Sequence, residues 1–148
     1  MSTEKQNQVV LEQFPSRTYD KLRYADTDRQ GHVNNAVFST FLETGRVEFL
    51  YDPEEPLAAP DGSFVIASLN LQLRAEIFWP GVVEIGTAVT RVGKSSIGLY
   101  QGIFQDGTCA ATAETVIVHV NNVTQRSQPL SDATREALQS YLYEGKLS

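Results

Sequence analysis

The chain has 148 residues, with 41% hydrophobic residues, 20% charged residues and a formal net charge of -6 at pH 7. These values are typical of one globular domain that buries a core, and they exclude a general nucleic-acid binder, which needs a basic surface. No apolar run reaches the roughly 18 residues that span a bilayer. The polar residues 1–8 lack the apolar segment of a signal peptide, and a single cysteine, Cys109, fits a reducing compartment. We therefore expect a cytoplasmic protein that binds neither nucleic acid nor membrane.

The first part of the chain predicts an arm, a strand and a loop. Residues 1–15 are polar and end at Phe14-Pro15, so we expect a flexible N-terminal arm, followed by one domain at residues 16–148. Residues 17–24 mix apolar and basic side chains in the manner of a strand. Residues 26–31 are rich in Asp, Thr and Gly, which indicates a loop.

A helix pattern follows this loop. Apolar residues recur at three- and four-residue spacing from Val37 to Leu50, and the apolar stripe is wide enough to predict a largely buried helix. Asn34 or Asn35 is a suitable N-cap. Asp52-Pro53 is expected to end the helix, because the residue before a proline disfavours helical backbone.

The remainder of the chain predicts strands. Apolar and polar residues alternate from Val65 to Ile77, which indicates a long strand with one buried face. Further strands are predicted at 83–91, 97–105 and 108–120, and Ser131 is placed to cap a short terminal helix. Because these four strands follow one another, we expect a meander. A long apolar helix and one antiparallel sheet must cover each other, so the sequence predicts an α+β fold with the sheet wrapped around a long central helix.

The dense polar segment Tyr24 to Asn35 invites interpretation as a calcium loop, which its spacing excludes. Such a loop needs a bidentate Glu at its twelfth position, and Val37 stands there. Gly93-Lys94-Ser95 lies between two strands and lacks the earlier glycine of a phosphate-binding loop. There is no G-x-S-x-G motif, and two histidines with one cysteine give no recognised metal spacing. We therefore predict no metal and no cofactor.

The segment Tyr24 to Glu43 and the order of the strands resemble the hotdog-fold thioesterases, specifically the 4-hydroxybenzoyl-CoA thioesterase-like branch. A D-x-D-x-x-G core followed by a helix with Phe41-Leu42-Glu43 carries this resemblance. Weaker similarity continues in a hairpin, a turn and an exit segment, at residues 91–96, 104–107 and 125–130. The resemblance implies a single hotdog domain that hydrolyses an acyl-CoA thioester to a free carboxylic acid and CoA.

One segment departs from that branch. His32-Val33-Asn34-Asn35 is similar to the H-V-N-N of acyl-carrier-protein thioesterases with the same fold, which leaves the carrier open between CoA and acyl carrier protein. A non-catalytic hotdog module that binds acyl-CoA is a further alternative, although a binder does not need a carboxylate at the helix start. A hotdog dehydratase would use a His/Asp pair such as His32 and Asp28 to remove an α-proton.

The resemblance implies catalytic roles at the start of the helix. Asp28 is the implied nucleophile or general base, whereas Asp26 is expected to be mainly structural, and an Asx-type turn is the alternative role for both. The backbone N–H of Asn35 is the implied oxyanion donor, because the first amides of a helix lack internal partners and lie at its positive end. A simple helix cap is the alternative there.

Two further residues are candidates for catalysis. His32 suits proton transfer near neutral pH, and its alternative role is to orient the loop. Glu43 is the second choice for the base, because other hotdog branches carry a catalytic carboxylate on the helix. A structural ion pair between Glu43 and Arg46, three residues further on, is the preferred alternative.

The substrate is expected to contact the hairpins and the helix. Basic side chains at strand ends can reach the phosphates of CoA, and nearby hydroxyl groups can add hydrogen-bond donors. The alternative is that these are ordinary solvated charges of a hairpin. The candidates are Arg91, Lys94, Ser95, Ser96 and Arg126. Phe38 is expected to line an acyl pocket beside the helix. An exposed sheet edge is prone to pairing, and the resemblance implies a homodimer or homotetramer with sites between protomers.

Overall fold

The computed structural model describes residues 8–145, which form a five-stranded antiparallel sheet and two α-helices. The strands are β1 (Ser16–Lys21), β2 (Gly62–Leu73), β3 (Val82–Val92), β4 (Ser96–Gln105) and β5 (Thr108–Asn121), and the helices are α1 (Asn35–Leu50) and α2 (Asp132–Leu138). These bounds match the predicted helices and the last three strands closely. None of the helices in this range is long and apolar enough to cross a bilayer.

The strands lie in the order β1-β3-β4-β5-β2. Consecutive hairpins join β3, β4 and β5 as predicted, but β2 pairs with β5 and has no ladder with β3 among the described residues, so the predicted four-strand meander is wrong. The alternation in a strand determines which side chains share a face but not which strand lies beside it, and the connection 74–81 is longer than a tight hairpin turn. As a result β2 lies at one edge of the sheet.

Helix α1 begins at the cap that the sequence indicates. The side chain of Asn34 accepts a hydrogen bond from the N–H of Ala36 at 3.0 Å, and the helix continues to Leu50. Its buried residues, among them Phe38 and Leu42, share a core with apolar side chains of β3 and β4. The sheet therefore covers one face of α1 and leaves the helix start at one end of the sheet.

Strand β2 is less covered than its sequence predicts. Leu69 and Leu73 are 40% and 49% exposed, and Val65 and Ile66 on the first half of the strand are 45% and 49% exposed. Helix α1 packs on β1, β3 and β4, which leaves β2 largely open. Among the described residues the face predicted to be buried is therefore covered only in part, with Leu71 half-buried against the core, and the wrapping of the sheet around the helix is confirmed only in part.

Both ends of the described chain cover the opposite face of the sheet. Phe14 is fully buried and its ring lies 5.7 Å from that of Tyr100 and 5.0 Å from that of Tyr143, between centroids. The hydroxyl of Tyr143 donates to Oε1 of Gln13 at 2.8 Å. The flexible arm was expected over residues 1–15, and its residues 9–14 are packed on the sheet. Residues 1–7 of that arm, and residues 146–148 of the predicted domain, lie outside the described range.

Candidate active site

The loop between β1 and α1 is braced by a buried aspartate. Asp26 is 2% exposed, and its carboxylate accepts hydrogen bonds from the backbone N–H of Arg23 at 2.9 Å and from the Arg23 guanidinium at 2.8 and 3.1 Å. Hydrogen bonding and charge from Asp26 raise the pKa of Arg23. The carbonyl of Asp26 accepts from the N–H of Asn34 at 2.8 Å. Asp26 thus ties the loop to the helix start, a contact pattern that fits the structural role expected for it.

Asp28 lies on the exposed side of the same loop. Its backbone N–H donates to the carbonyl of His32 at 2.7 Å, and its Oδ1 accepts from the N–H groups of Gln30 at 2.9 Å and His32 at 3.2 Å. Gly31 closes the turn with a φ of 83°, a conformation that favours glycine. An Asx-type turn is therefore present, but within residues 8–145 the second oxygen, Oδ2, has no hydrogen-bond partner and stays available for chemistry.

The first amide of α1 is also available. The side-chain oxygen of Asn34 accepts a hydrogen bond from the N–H of Ala36, and its backbone carbonyl accepts one from the N–H of Val37 at 2.9 Å. In the part of the chain that the structure describes, the N–H of Asn35 has no acceptor. An unpaired amide at the positive end of a helix dipole attracts negative charge. The geometry at Asn35 is therefore suited to an anionic oxygen.

His32 forms one wall beside these groups. Its Nδ1 lies 3.0 Å from Oε1 of Glu76, and its ring meets that of Phe78 edge-on with centroids 4.9 Å apart. The Phe78 backbone is in turn held by the side chain of Gln105, which accepts from its N–H at 3.0 Å and donates to its carbonyl at 2.7 Å. The imidazole is therefore oriented by residues from outside its own loop.

These groups line one cleft of about 380 Å³ at the end of the sheet. Its lining consists of Asp28, Gln30, His32, Val33, Asn35 and Phe38 from the loop and helix, and Leu73, Arg74, Ala75 and Glu76 from the end of β2 and the segment after it. Gln30, Arg74 and Glu76 were not predicted as cleft residues. The alternating pattern predicts that Arg74 and Glu76 lie on the polar face of a strand, but β2 ends at Leu73, and beyond that residue the alternation no longer determines the side-chain direction.

Glu43 does not line this cleft. It is exposed on α1 and borders a second cavity of about 150 Å³, together with Arg46, between α1 and β2. Arg46 is 8% exposed, and its Nη1 donates to Oε1 of Gln101 at 3.5 Å. Burial lowers the pKa of Arg46, and the charge of Glu43 opposes that shift. Among residues 8–145, Arg23–Asp26 and His32–Glu76 are the basic and acidic side chains whose N and O atoms approach within 4.0 Å. The predicted Glu43–Arg46 ion pair is therefore wrong within the described protomer.

Most of the predicted substrate-binding residues lie at the opposite end of the sheet. Arg91, Lys94 and Arg126 are exposed there, with the half-buried Ser95 and Ser96 between them. Strand β4 runs from this end to the cleft, and at ~3.3 Å per residue its length separates the two sets by ~30 Å. Of the predicted substrate-binding residues, only Phe38 lines the cleft.

The fold and the cleft define a class of protein. An antiparallel sheet that packs on one long helix, with a cleft at the helix start, agrees with the hotdog fold that the sequence predicts. Residues 22–138 match the model of the thioesterase-like superfamily, so the chain belongs to this family. The family predicted from the sequence is thereby confirmed.

Known relatives agree with this family. The acyl-CoA thioester hydrolase YbgC of Escherichia coli O6:H1 is 27% identical over 126 residues, which cover 82% of this chain and 91% of the relative. A thioesterase of Thermus thermophilus, solved in complex with coenzyme A and Zn, is 29% identical with a TM-score of 0.75 and covers 87% of this chain and 95% of that one. The PA5185 protein of Pseudomonas aeruginosa PAO1 has a TM-score of 0.82 at 24% identity, covering 93% and 98% of the two chains, and shows likeness of fold alone.

Proposed function

We propose that this protein hydrolyses an acyl-CoA thioester to a free carboxylic acid and CoA in the cleft beside Asp28. The observation that carries the proposal is that a carboxylate oxygen and a helix amide, both without a partner within residues 8–145, line the same cleft. The E. coli relative is named an acyl-CoA thioester hydrolase, and the T. thermophilus neighbour binds coenzyme A. Both names support CoA as the carrier.

Asp28 supplies the carboxylate for the reaction. Its Oδ2 either attacks the thioester carbonyl carbon, giving an anhydride that water hydrolyses, or takes a proton from the water that attacks. In the first route water attacks the acyl carbon of the anhydride and releases Asp28 as the free carboxylate. In both routes the C–S bond breaks, its electron pair leaves with the sulfur of CoA, which takes up a proton released by the water, and the oxygen of water ends in the carboxylic acid. Glu43 remains the second choice for this role, and its position at a separate cavity favours Asp28.

The N–H of Asn35 stabilises the oxygen that gains charge. A donor of this kind contributes about 3–4 kcal/mol to the transition state, because it is fixed in place before the reaction begins. His32, held beside Glu76 and Phe78, either donates a hydrogen bond that polarises the thioester carbonyl or moves a proton to or from water in the same cleft. Phe38 contributes the apolar wall for the acyl group.

A second copy of the chain completes the site in this proposal. Strand β2 is an exposed edge, and its backbone and its uncovered Leu69 and Leu73 invite pairing. A strand that pairs with its own copy about a two-fold axis runs antiparallel to it, which places the Gly62 end of one β2 beside the Leu73 end of the other. The cleft of one protomer then meets Lys94 and Arg126 of the partner subunit, which bind the CoA phosphates. The assembly is a homodimer, or a homotetramer built from such dimers.

Acyl carrier protein is the second candidate for the carrier, and the segment His32-Val33-Asn34-Asn35 is the observation that favours it. The catalytic arrangement is the same for both carriers, because the thioester is the same. Only the contacts at the hairpin end differ. Cytoplasmic location stays a prediction from the sequence.

A thiol-release screen tests the proposal. The wild-type protein is offered short, long and aromatic acyl-CoAs and the matching acyl-carrier-protein thioesters, and free thiol is measured. We expect hydrolysis of at least one acyl-CoA, with CoA substrates preferred. Tight binding of acyl-CoA without hydrolysis of any thioester would support a binding module and contradict an enzyme. Faster hydrolysis of the carrier-protein thioesters would assign the second carrier.

A further inference from the structure

Arg46 is a buried cation without an acidic partner among residues 8–145. It is 8% exposed, and in that range its side chain makes one hydrogen bond, the long one of 3.5 Å to Gln101. The amide of Gln101 is also engaged with the Leu42 carbonyl and the Thr87 hydroxyl, each at 3.0 Å. A guanidinium removed from water is costly unless a carboxylate or several acceptors compensate it. Within the described residues the charge of Glu43 acts on Arg46 from a distance but makes no contact with it, so the guanidinium is compensated only in part.

A carboxylate lies on the same helix face but does not reach this cation. Glu43 is exposed, three residues before Arg46, and both border the cavity of about 150 Å³ between α1 and β2. The two side chains are more than 4.0 Å apart, as no ion pair forms between them among the described residues. This face of α1 thus presents one negative and one positive group, each open to a partner of opposite charge.

The position of this face relative to β2 locates it in an assembly. The catalytic cleft joins the Asn35 end of α1 to the Leu73 end of β2, whereas the second cavity joins Arg46 to Phe64 and Ile66 near the start of β2. Helix and strand therefore run in opposite directions, and the middle of β2 is level with the middle of α1, near the height of Glu43. A two-fold axis through the middle of β2 places the two copies of α1 antiparallel at that point.

We infer that Glu43 of each protomer pairs with Arg46 of the partner subunit across this two-fold axis. The inference rests on the β2 pairing that forms part of the proposed function. The two residues are separated by ~4.5 Å along the helix, so both face the same short stretch of an antiparallel neighbour. Because two-fold symmetry makes each contact reciprocal, the dimer holds two ion pairs and each buried Arg46 gains a carboxylate. The occupant of this face is accordingly a second copy of the chain, selected by charge complementarity.

Charge reversal with mixing tests this pair. In the Glu43→Arg homodimer each contact brings two cations together, and in the Arg46→Glu homodimer each contact brings two carboxylates together, so both variants replace attraction by repulsion. We expect each variant alone to raise the dimer dissociation constant at least about tenfold, measured by analytical ultracentrifugation. An equimolar mixture forms heterodimers in which both contacts again join opposite charges, so its dissociation constant returns towards that of the wild type. Glu48→Arg, at an exposed position of α1 that does not border the cavity, is the matched control and keeps the wild-type value.

Two outcomes keep the test decisive. Glu43→Arg alters an exposed side chain, so it reports on the pair even when Arg46→Glu fails to give a cooperative thermal transition. A Glu43→Arg dimer as tight as the wild type, or a mixture of two folded variants that gains nothing over its components, overturns the inference. Monomeric wild-type protein overturns the β2 pairing as well. The thiol-release screen of the wild type is scored separately, so failure of the ion pair and failure of thioester hydrolysis are distinguishable.

Discussion

At the scale of single residues, burial separates the two aspartates of the loop before α1. Asp26 is enclosed and bound by Arg23, whereas Asp28 is exposed and keeps one oxygen without a partner within residues 8–145. Their sequence spacing alone allows an Asx-type turn for either residue, and the resemblance to thioesterases was needed to single out Asp28. The contacts now give a physical reason for the distinction, because the oxygens of Asp26 are enclosed and occupied by Arg23, whereas Asp28 lines the cleft.

Asp28→Asn is expected to abolish turnover and to preserve the fold. The amide oxygen of Asn still accepts from the N–H groups of Gln30 and His32, so the free energy of unfolding changes by less than about 0.5 kcal/mol. The charge needed for attack or proton transfer is lost, so kcat falls at least about 100-fold. Thiol release and thermal unfolding measure the two effects. Near-wild-type turnover by the folded variant would remove Asp28 from the mechanism.

Asp26→Asn provides the matched comparison and has the opposite expected result. The variant replaces the buried carboxylate by a neutral amide and so weakens its hydrogen bonds from the backbone N–H and guanidinium of Arg23, which costs about 1–3 kcal/mol of stability in urea unfolding. The carboxylate of Asp28 is retained, so kcat per folded molecule falls less than in Asp28→Asn. Unchanged stability would show that the buried carboxylate does not brace the loop.

At the scale of the elements, helix α1 is held unusually close to the sheet at one point. The Gln101 side chain donates to the Leu42 carbonyl, and Gly45 lies directly over β3 and β4. The limits of this helix were predictable, because its apolar period, its Asn cap and Asp52-Pro53 are local signals. The polar contact beneath it was not, since Gln101 is distant in sequence and its partner is a backbone carbonyl.

Gly45→Ala is expected to destabilise the protein although alanine favours helices. The added Cβ would lie 2.7 Å from Cγ2 of Ile85 and 2.9 Å from Nε2 of Gln101, so the helix or the sheet must shift. Crowding of this kind costs about 1–3 kcal/mol and exceeds the helix-propensity gain of about 1 kcal/mol. Urea unfolding measures the difference, with Ser39→Ala at an exposed position of the same helix as the control. A stabilised Gly45→Ala protein would contradict the close packing.

On the face of the sheet opposite α1, the half-buried Tyr143 is expected to make the protein less stable at alkaline pH. Burial, with the nearby Tyr100 and Cys109, raises the pKa of Tyr143 from its ordinary 10.0 to about 12. The folded state therefore binds this proton more tightly than the unfolded state, and the contribution is intact below pH 10 and is lost as the pH rises towards about 12. Urea midpoints across this interval should fall, and less steeply for Tyr143→Phe. If the urea midpoint fell equally steeply with pH in both proteins, the assignment to Tyr143 would be contradicted. Some dependence is expected to remain in Tyr143→Phe, because burial also raises the pKa of Tyr100.

Strand β2 shows where local pattern stops being informative. Its alternation correctly predicted a strand, but Leu69 and Leu73 are exposed because nothing within the described protomer covers them. Sequence alternation states that a face is apolar and does not state which chain buries it. For the same reason Arg74 and Glu76, which follow the end of the strand, were predictable as polar but not as members of the cleft.

At the scale of the whole molecule, the functional groups occupy two ends of one sheet. Asp28, His32 and the Asn35 amide lie at one end, and Lys94 and Arg126 lie ~30 Å away at the other. A net charge of -6 makes a local basic cluster the natural place for an anionic carrier. Pairing of β2 edges joins the two ends from different protomers, so the dimer is the catalytic unit in the proposed mechanism.

Subunit complementation tests the central claim, which is that Asp28 hydrolyses acyl-CoA in a site shared by two protomers. One variant chain carries Asp28→Asn, and the other carries both Lys94→Glu and Arg126→Glu. At substrate concentrations below KM, the homodimer of either variant is expected to be nearly inactive. After subunit exchange, a heterodimer holds one site with both halves intact, so an equimolar mixture should recover about a quarter of wild-type thiol release. A mixture no more active than its two components, or full activity of the Asp28→Asn homodimer, would contradict the claim.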